Sequence, residues 1–532
     1  MSCCWRPLPS RTTCSPATST GARRSPRRSR RQSRHRRDRG GTSVTATLQP
    51  TENRKRPRRK RAGFFSVLTA WLGRPLASFH LVLAVFGLLT VLGLVMVLSA
   101  SSVVSLDTGP SVYTVFKKQL LFVAIGSIAF WIALRMPLRV MRQFSAPALA
   151  VCFGMLVLVL IIGKEFYGAR SWFVVGPISF QPIEVAKLAL VLWGAHVLVQ
   201  KKALLHQYRH LLVPLVPVAL LMFALVMMQP DLGGTVTLIV VLFALLWFAG
   251  APMRLFGAAA IGGLGGIVTL SLTEGYRVAR VLSFLDPEAD PSGKGLQGLQ
   301  AKYALADGGL FGKGLGQGQS KFEYLPNVHN DFIFALIGEE LGFLGCALVL
   351  GLFAMLAITG LRIAARNIDP WIRMVAATVT VWLVAQAAIN IAYVVGLLPV
   401  TGITLPMISA GGSSIVVTMF VFGILANCAR HEPESVAALR SQGPGRFGRL
   451  MKLPAPDVYN PPQKRKPVRP STPPRATGRR EPATKRAGTS ERQLHERRRT
   501  RRSVPVPEHR REHRRSARGR TGQPRADEGG RH

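Results

Sequence analysis

The sequence predicts an all-α polytopic membrane protein: ten transmembrane helices, both termini cytoplasmic, one large extracytoplasmic loop and disordered basic tails. Three observations predict it. Ten apolar segments each approach the ~20 residues needed to cross a bilayer as a helix. Lys and Arg collect in every second connection, which fixes one side as cytoplasmic. The charge is segregated: of 69 Lys and Arg, 19 lie before residue 62 and 28 from residue 430 onward, so the middle of the chain is apolar.

The predicted spans lie near 78–99, 119–135, 145–163, 182–199, 211–228, 232–249, 252–272, 333–360, 372–395 and 406–428. The basic connections carry Arg135, Arg139 and Arg142, then Lys201, Lys202 and Arg209, then Arg254, then Arg362, Arg366 and Arg373. An even number of spans puts both tails on that same side. Residues 273–332 then form the large outer loop, and residues 75–430 form the membrane domain. The tails, 1–74 and 431–532, are rich in Arg, Pro, Ser and Thr without apolar periodicity. They cannot bury enough surface to offset chain entropy and are expected to be disordered. Beside a membrane, their charge suits anionic lipid or an acidic partner rather than nucleic acid. Six cysteines at 3, 4, 14, 152, 346 and 428 have neither disulfide nor metal-ligand spacing.

The stretch "NVHNDFIFALIGEELG" (327–342) carries Asp331, Glu339 and Glu340 at the mouth of a span. Carboxylates at membrane depth are costly and usually functional. Asp331 reads as a general base facing an outer cavity, or as a carboxylate complementing a helix dipole. A single helix over 331–360 would run ~45 Å, too long for one crossing. Either its first turns stand above the hydrocarbon, with Gly338 and Gly342 as weak points, or it tilts. At ~100° per residue Glu339 falls nearer Asp331 and is expected to share its cavity, whereas Glu340 points away toward a basic group on a neighbouring helix. His329 has no further ligand in view, so no protein-held metal is expected.

Around the fourth span the sequence reads "GARSWFVVGPISFQPIEVAKLAL". Arg170, Gln181, Glu184 and Lys187 suit a cationic site for an anionic headgroup, with Arg170 as the phosphate fork. Glu184 and Lys187 at i, i+3 also simply neutralise each other. "QPDLGG" sets Asp231 in a tight outer turn, which turn chemistry explains by itself. "GGLFGKGLGQGQSKFEYLP" is a glycine loop on the outer side, where a nucleotide is not expected; it reads as a cover over a lipid phosphate or a plain flexible lid. "LLPVTGITLPMISAGGSS" predicts a broken or late-starting last helix, whose Gly411, Gly412, Ser413 and Ser414 either offer N–H groups to phosphate or pack helices closely.

"GLGQGQSKFEYLPNVHNDFIFALIGEELG" and "GLLPVTGITLPMISAGGSS", with "QPIEVAK" and "QPDLGG" in the same order, closely resemble the SEDS family (shape, elongation, division, sporulation) over residues 75–430. "GEELG" and "LPMISAGGSS" resemble the division members rather than the elongation members, and "RPLASFHL" and "ARHEPESVAAL" are similar to actinobacterial ones. The sequence departs from the family pattern at Ile183, where a serine is usual, and at Leu296 and Ala301 in the outer loop. The resemblance implies a septal peptidoglycan glycosyltransferase of the cell membrane. It would polymerise lipid II with inversion at the anomeric carbon, and Asp331 would be its catalytic base. It implies a class B penicillin-binding transpeptidase as partner, and other division proteins, including FtsZ, through the C-terminal tail. A hydrolase needs a second carboxylic acid for its leaving group; a diphosphate leaves as a stable anion, so one base with cations suffices. Arg170, Lys187 and a divalent ion (Mg or Mn) at the lipid diphosphate are the expected cations. The competing readings are a lipid II flippase, which needs polar groups through both faces, and a non-catalytic division scaffold, which needs no Asp331.

Overall fold

The computed structural model describes residues 73–101, 111, 113–166, 169–176, 178–205, 207–273, 296–320 and 330–459. The expected disordered tails over 1–72 and 460–532, and the outer-loop stretches 274–295 and 321–329 with His329, lie outside the described residues. The described chain is mostly helical. In order it forms α1 (Ala77–Ser101), α2 (Thr114–Arg135), α3 (Leu138–Gln143), α4 (Ser145–Ile162), β1 (Lys164–Phe166), β2 (Ala169–Val175) and β3 (Ile178–Phe180). There follow α5 (Pro182–Gln200), α6 (Tyr208–Leu212), α7 (Leu215–Met227), α8 (Leu232–Phe248), α9 (Met253–Thr273) and α10 (Leu296–Asp307). The last elements are α11 (Ile333–Arg366), α12 (Pro370–Val394), α13 (Gly412–Arg430), α14 (Pro433–Gln442) and α15 (Arg446–Leu450).

A helix occupies each of the ten predicted segments. Seven of them, α1, α2, α4, α5, α11, α12 and α13, are long and apolar enough to cross a membrane, and α7 and α8 are shorter apolar helices. This is the architecture of a polytopic membrane protein. The most enclosed helices are α5, α12 and α13, whereas α1, α2 and α4 keep most of their apolar surface outward. Between apolar helices close contact depends on small residues rather than on the hydrophobic effect. At Gly423 of α13 an added Cβ would lie 2.6 Å from the Phe130 carbonyl of α2. Phe86 of α1 stacks on Phe130 at 4.3 Å between ring centres.

Three differences from the sequence reading matter. First, the fold is not purely α: residues 164–180 form a three-stranded antiparallel sheet, β1-β2-β3. Alternation in "ARSWFVV" over a short connection was masked by the apolar spans on either side. Second, the chain stays folded past residue 430. Arg430 donates to the Pro454 carbonyl, Arg440 to that of Pro456 and Trp131 to that of Met451. Leu439 and Leu453 are buried, and Arg366 pairs with Glu434. Arg430 and Arg440 thus capture the backbone carbonyls of the proline-containing segment 453–459. Third, the last span starts at Gly412 rather than at 406, which is the late start that "LLPVTGITLPMISAGGSS" predicts.

Candidate active site

The starts of α5, α8 and α11 and the end of α12, all on one side of the bundle, meet around the non-helical segment 401–411. Irregular backbone at membrane depth is tolerated only where protein satisfies it, and here side chains do so. Gln386 Nε2 donates to the Thr404 carbonyl at 3.1 Å. Ser409 Oγ accepts from Leu405 N at 2.8 Å, and Gln119 Nε2 reaches the Ser409 carbonyl at 3.4 Å. Met407, buried with φ +70°, places its carbonyl against Gly93 of α1.

Asp331 stands just before α11, half-buried, with its carboxylate facing Gly402. Its backbone is held from α12. Asn390 Nδ2 lies 2.9 Å from the Asp331 carbonyl, 2.7 Å from the Ile403 carbonyl and 2.6 Å from the Tyr393 hydroxyl. The Tyr393 hydroxyl is 2.9 Å from Asp331 O and 2.6 Å from Ile403 O. The amide has two protons and the phenol one, and they meet three acceptors. The pair therefore clamps the Asp331 turn to the 401–404 segment. Phe332 completes the contact edge-on to Tyr393, 5.7 Å between ring centres. Burial pushes the Asp331 carboxyl up to about 6, because low-dielectric surroundings disfavour the charged form.

Asp231 caps α8, accepting from Gly234 N at 2.7 Å, and its other oxygen accepts from Gln181 Nε2 at 3.0 Å. Burial pushes its carboxyl upward, against the pull of the Gly234 N–H and Lys187. Gly233 abuts the carbonyl of Thr401, so the Asp231 turn and the Asp331 turn flank the same segment. Gln181 N donates to Ser413 Oγ at 3.0 Å, tying the sheet to the start of α13. Lys187 and Glu184 are buried and paired at 2.9 Å, with the ammonium 5.0 Å from the Trp382 ring centre. Arg170 is exposed on β2, opposite Glu165. Gly411 is the N-cap residue of α13, Gly412 opens that helix against Phe122, and Ser414 is buried in its first turn.

Glu339 does not share a cavity with Asp331. Asp331 precedes the first helical residue, so helix phase does not carry back to it. Glu339 instead accepts from Gln319 N at 2.6 Å, from Ser320 N at 3.2 Å and from the Ser320 hydroxyl, with Lys313 at 3.9 Å. Glu340 accepts from Ser99 Oγ of α1 at 2.5 Å. The glycine loop is likewise no loose cover. At Gly342 (φ +66°, ψ −165°) α11 breaks. Glu339 O and Glu340 O lose their helical donors and take Lys313 N at 2.9 Å and Gly314 N at 3.0 Å instead. Phe343 N and Leu344 N, deprived of the same helical bonds, donate to Gly309 O at 2.9 Å and Leu310 O at 3.3 Å. The loop exchanges four hydrogen bonds with the break.

Gln386, Asn390 and Tyr393 are the site residues that sequence reading missed. The signal was present: polar groups at i, i+4 and i+7 mark one face of an apolar helix. Among the described residues no group of three His, Cys, Asp or Glu is placed to hold a metal ion.

The family model described as "Cell cycle protein" (FtsW, RodA and SpoVE) matches residues 79–434. The proteins named "Probable peptidoglycan glycosyltransferase FtsW" in Mycobacterium bovis and Mycobacterium tuberculosis are each 51% identical over 396 residues, 74% of this chain and 76% of theirs. Stage V sporulation protein E of Bacillus subtilis is 41% identical over 346 residues, 65% of this chain and 94% of that one. A chain from a structure described as "Structural coordination of polymerization and crosslinking by a peptidoglycan synthase complex" superposes with a TM-score of 0.56 at 27% identity, over 68% of this chain and 99% of that one.

Proposed function

This chain belongs to the FtsW, RodA and SpoVE family of cell cycle proteins, and on that premise we propose that it is the peptidoglycan glycosyltransferase of cell division, polymerising lipid II on the outer face of the membrane with Asp331 as its base. The observation that carries the assignment of the base is the held Asp331 turn: a half-buried carboxyl near pH 6, its backbone fixed by Asn390 and Tyr393. A base works best with a pKa near the operating pH. Asp331 takes the proton from the acceptor sugar 4-hydroxyl as that oxygen attacks the donor anomeric carbon. The lipid diphosphate departs from the opposite face, so the centre inverts, and no nucleotide is consumed. Arg170 is the exposed cation for the departing charge. Lys187, already neutralised by Glu184, acts at one remove by holding the outer turns of α5.

Among the described residues no group forms a cage for a resident divalent ion. A Mg or Mn ion would arrive on the substrate diphosphate. The topology that goes with this chemistry has ten crossings, both termini in the cytoplasm and residues 273–332 outside, where sugar headgroups are joined. A class B penicillin-binding transpeptidase is the partner in keeping with the complex named for the structural relative. Septal placement, and recruitment by FtsZ or other division proteins through the C-terminal tail, belong to the same proposal.

The test is glycan polymerisation by the purified chain with its cognate transpeptidase, crosslinking blocked, on lipid II. Glycan from the parent and none from folded Asp331→Ala is the expected result. Equal glycan from both removes Asp331 as base. Bound lipid II without glycan from either chain returns the flippase and scaffold readings.

A further inference from the structure

The glycine loop exposes several large apolar side chains. Phe311 is 78% and Leu310 65% exposed, and Leu315, Phe343 and Leu344 are exposed beside them. Soluble surfaces seldom gather five large apolar side chains in this way. Because Phe343 N and Leu344 N bond Gly309 O and Leu310 O, the tip of the loop lies against the α11 break. The outward apolar residues of α11 continue from there as Leu344, Leu348, Met355, Ile358 and Leu361. Their spacing follows one helix face.

Depth can be measured along α11 without choosing an orientation. Arg362 and Arg366 mark one membrane surface. From Arg362 back to Phe343 is 19 residues, about 28 Å at 1.5 Å each. The hydrocarbon core is about 30 Å thick. Phe343, Leu344 and the loop tip bonded to them thus fall at the far hydrocarbon boundary. Non-helical backbone there must have its polar groups satisfied within the protein. The four-bond exchange does this, and Gly312 N also bonds Gly308 O at 2.8 Å. Lys313, paired with Asp307 at 2.9 Å, holds its charge on the headgroup side.

We infer that residues 309–315 are a membrane anchor: Leu310, Phe311 and Leu315 insert into the acyl region of the leaflet opposite Arg362. The extracytoplasmic loop is thereby pinned to the lipid surface at one point. Lys313 N and Gly314 N bond the Glu339 and Glu340 carbonyls in the first turns of α11, which Asp331 precedes, and so the anchor sets the height of those turns above the leaflet. The occupant is lipid, continuous with the outward face of α11.

The experiment uses the full chain with its six cysteines replaced by alanine, reconstituted alone in phosphatidylethanolamine–phosphatidylglycerol vesicles. Nitroxide is attached at Phe311→Cys, with Leu348→Cys as lipid reference and Ala306→Cys, exposed on α10, as water reference. Collision rates with oxygen and with a water-soluble nickel chelate are compared. The inference expects an oxygen-to-nickel ratio at 311 within twofold of that at 348 and at least fivefold above that at 306. A ratio at 311 matching 306 overturns it. So does protection of 311 that arises only when the transpeptidase partner is added, because the occupant is then protein. Leu315→Cys repeats the measurement independently of side-chain changes at 311 and is read by the same two outcomes.

Discussion

Asn390→Ala tests the clamp on Asp331 directly. The substitution removes two of the three protons shared among Asp331 O, Ile403 O and the Tyr393 hydroxyl. The phenol proton can serve one carbonyl, at 2.6 or 2.9 Å, and the other carbonyl is left buried without a donor. An orphaned buried acceptor costs about 1–3 kcal/mol. The two carbonyls belong to short outer segments, so the cheapest relief is for the Asp331 turn to part from residues 401–404 while the bundle stays intact. A cost of about 1–3 kcal/mol then appears as a roughly 5- to 150-fold loss of molecules with the base in place. Polymerisation kinetics on lipid II should show that fall in kcat with KM within twofold, because the loss bears on the proton transfer rather than on substrate binding. Tyr393→Phe removes one proton only and should cost about 0.5–1.5 kcal/mol, a 2- to 12-fold fall. A folded Asn390→Ala chain with kcat within twofold of the parent would refute the reasoning. So would a loss wholly matched by a smaller folded fraction in size-exclusion and melting measurements.

Four further outcomes are expected. Polymerisation should fall as pH drops through about 6, where burial has raised the Asp331 carboxyl, and a limb that stays near pH 4 would contradict that burial; His329→Gln run in parallel keeps the titration on Asp331. The same raised carboxyl means the folded chain binds that proton more tightly than the unfolded chain, so its contribution to stability is lost as pH rises from about 4 through 6, and Asp331→Asn should flatten that part of the melting-versus-pH curve. Gly342→Ala would set a Cβ 2.3 Å from Gly312 N and 2.6 Å from Leu310 O at a glycine-only backbone angle, a cost of at least ~2 kcal/mol that limited proteolysis should report as cleavage within 309–320. Lys187→Met leaves Glu184 buried and uncompensated, at about 3–5 kcal/mol, whereas Glu184→Leu with Lys187→Met should recover most of the melting temperature; a double variant no better than the single would show that the pair is more than mutual neutralisation.

What the sequence made legible follows from how each feature is encoded. Spans are encoded locally, as runs of apolar residues, and a helix stands in every one of the ten predicted places. Asp331 was legible because a carboxylate at a span mouth is costly and conspicuous. The clamp was half legible: Gln386, Asn390 and Tyr393 stand out on one face of α12, but their acceptors are backbone carbonyls, which leave no trace in side-chain type. The anchor was not legible. "GGLFGKGLGQ" and "GEELGFLG" each read as flexible glycine sequence alone. Only together, some thirty residues apart, do they become rigid, because the break at Gly342 frees the two carbonyls and two N–H groups that the loop needs. The same pairing reverses the meaning of Glu339. Read on a helical wheel it belongs with Asp331; in the fold it receives Gln319 N and Ser320 N and so ends the anchored segment.

That arrangement gives a physical reason for the glycines and glutamates to recur so close to the proposed base, Asp331. A base acting on a lipid-linked sugar must stand at a fixed height above the leaflet, since its substrate is tethered there. A continuous α11 would carry Asp331 upward with any tilt of the helix. A break at Gly342, bridged by a loop that rests in lipid, uncouples the outer turns from the membrane-crossing part and refers them to the surface instead. The bridging bonds are backbone bonds, so substitution of Lys313 or Gln317 should leave the height unchanged. Substitution of Glu339 should not: Glu339→Ala strips the acceptor from two backbone N–H groups, each worth about 1–3 kcal/mol when buried and unpaired, and loosens the chain at Gln319 and Ser320, eleven residues before Asp331. Polymerisation by a folded Glu339→Ala chain should therefore fall at least fivefold, while the nitroxide at 311 still reads as lipid, because the four backbone bonds at the break remain. Loss of lipid contact at 311 together with activity would instead make Glu339 the support of the loop itself.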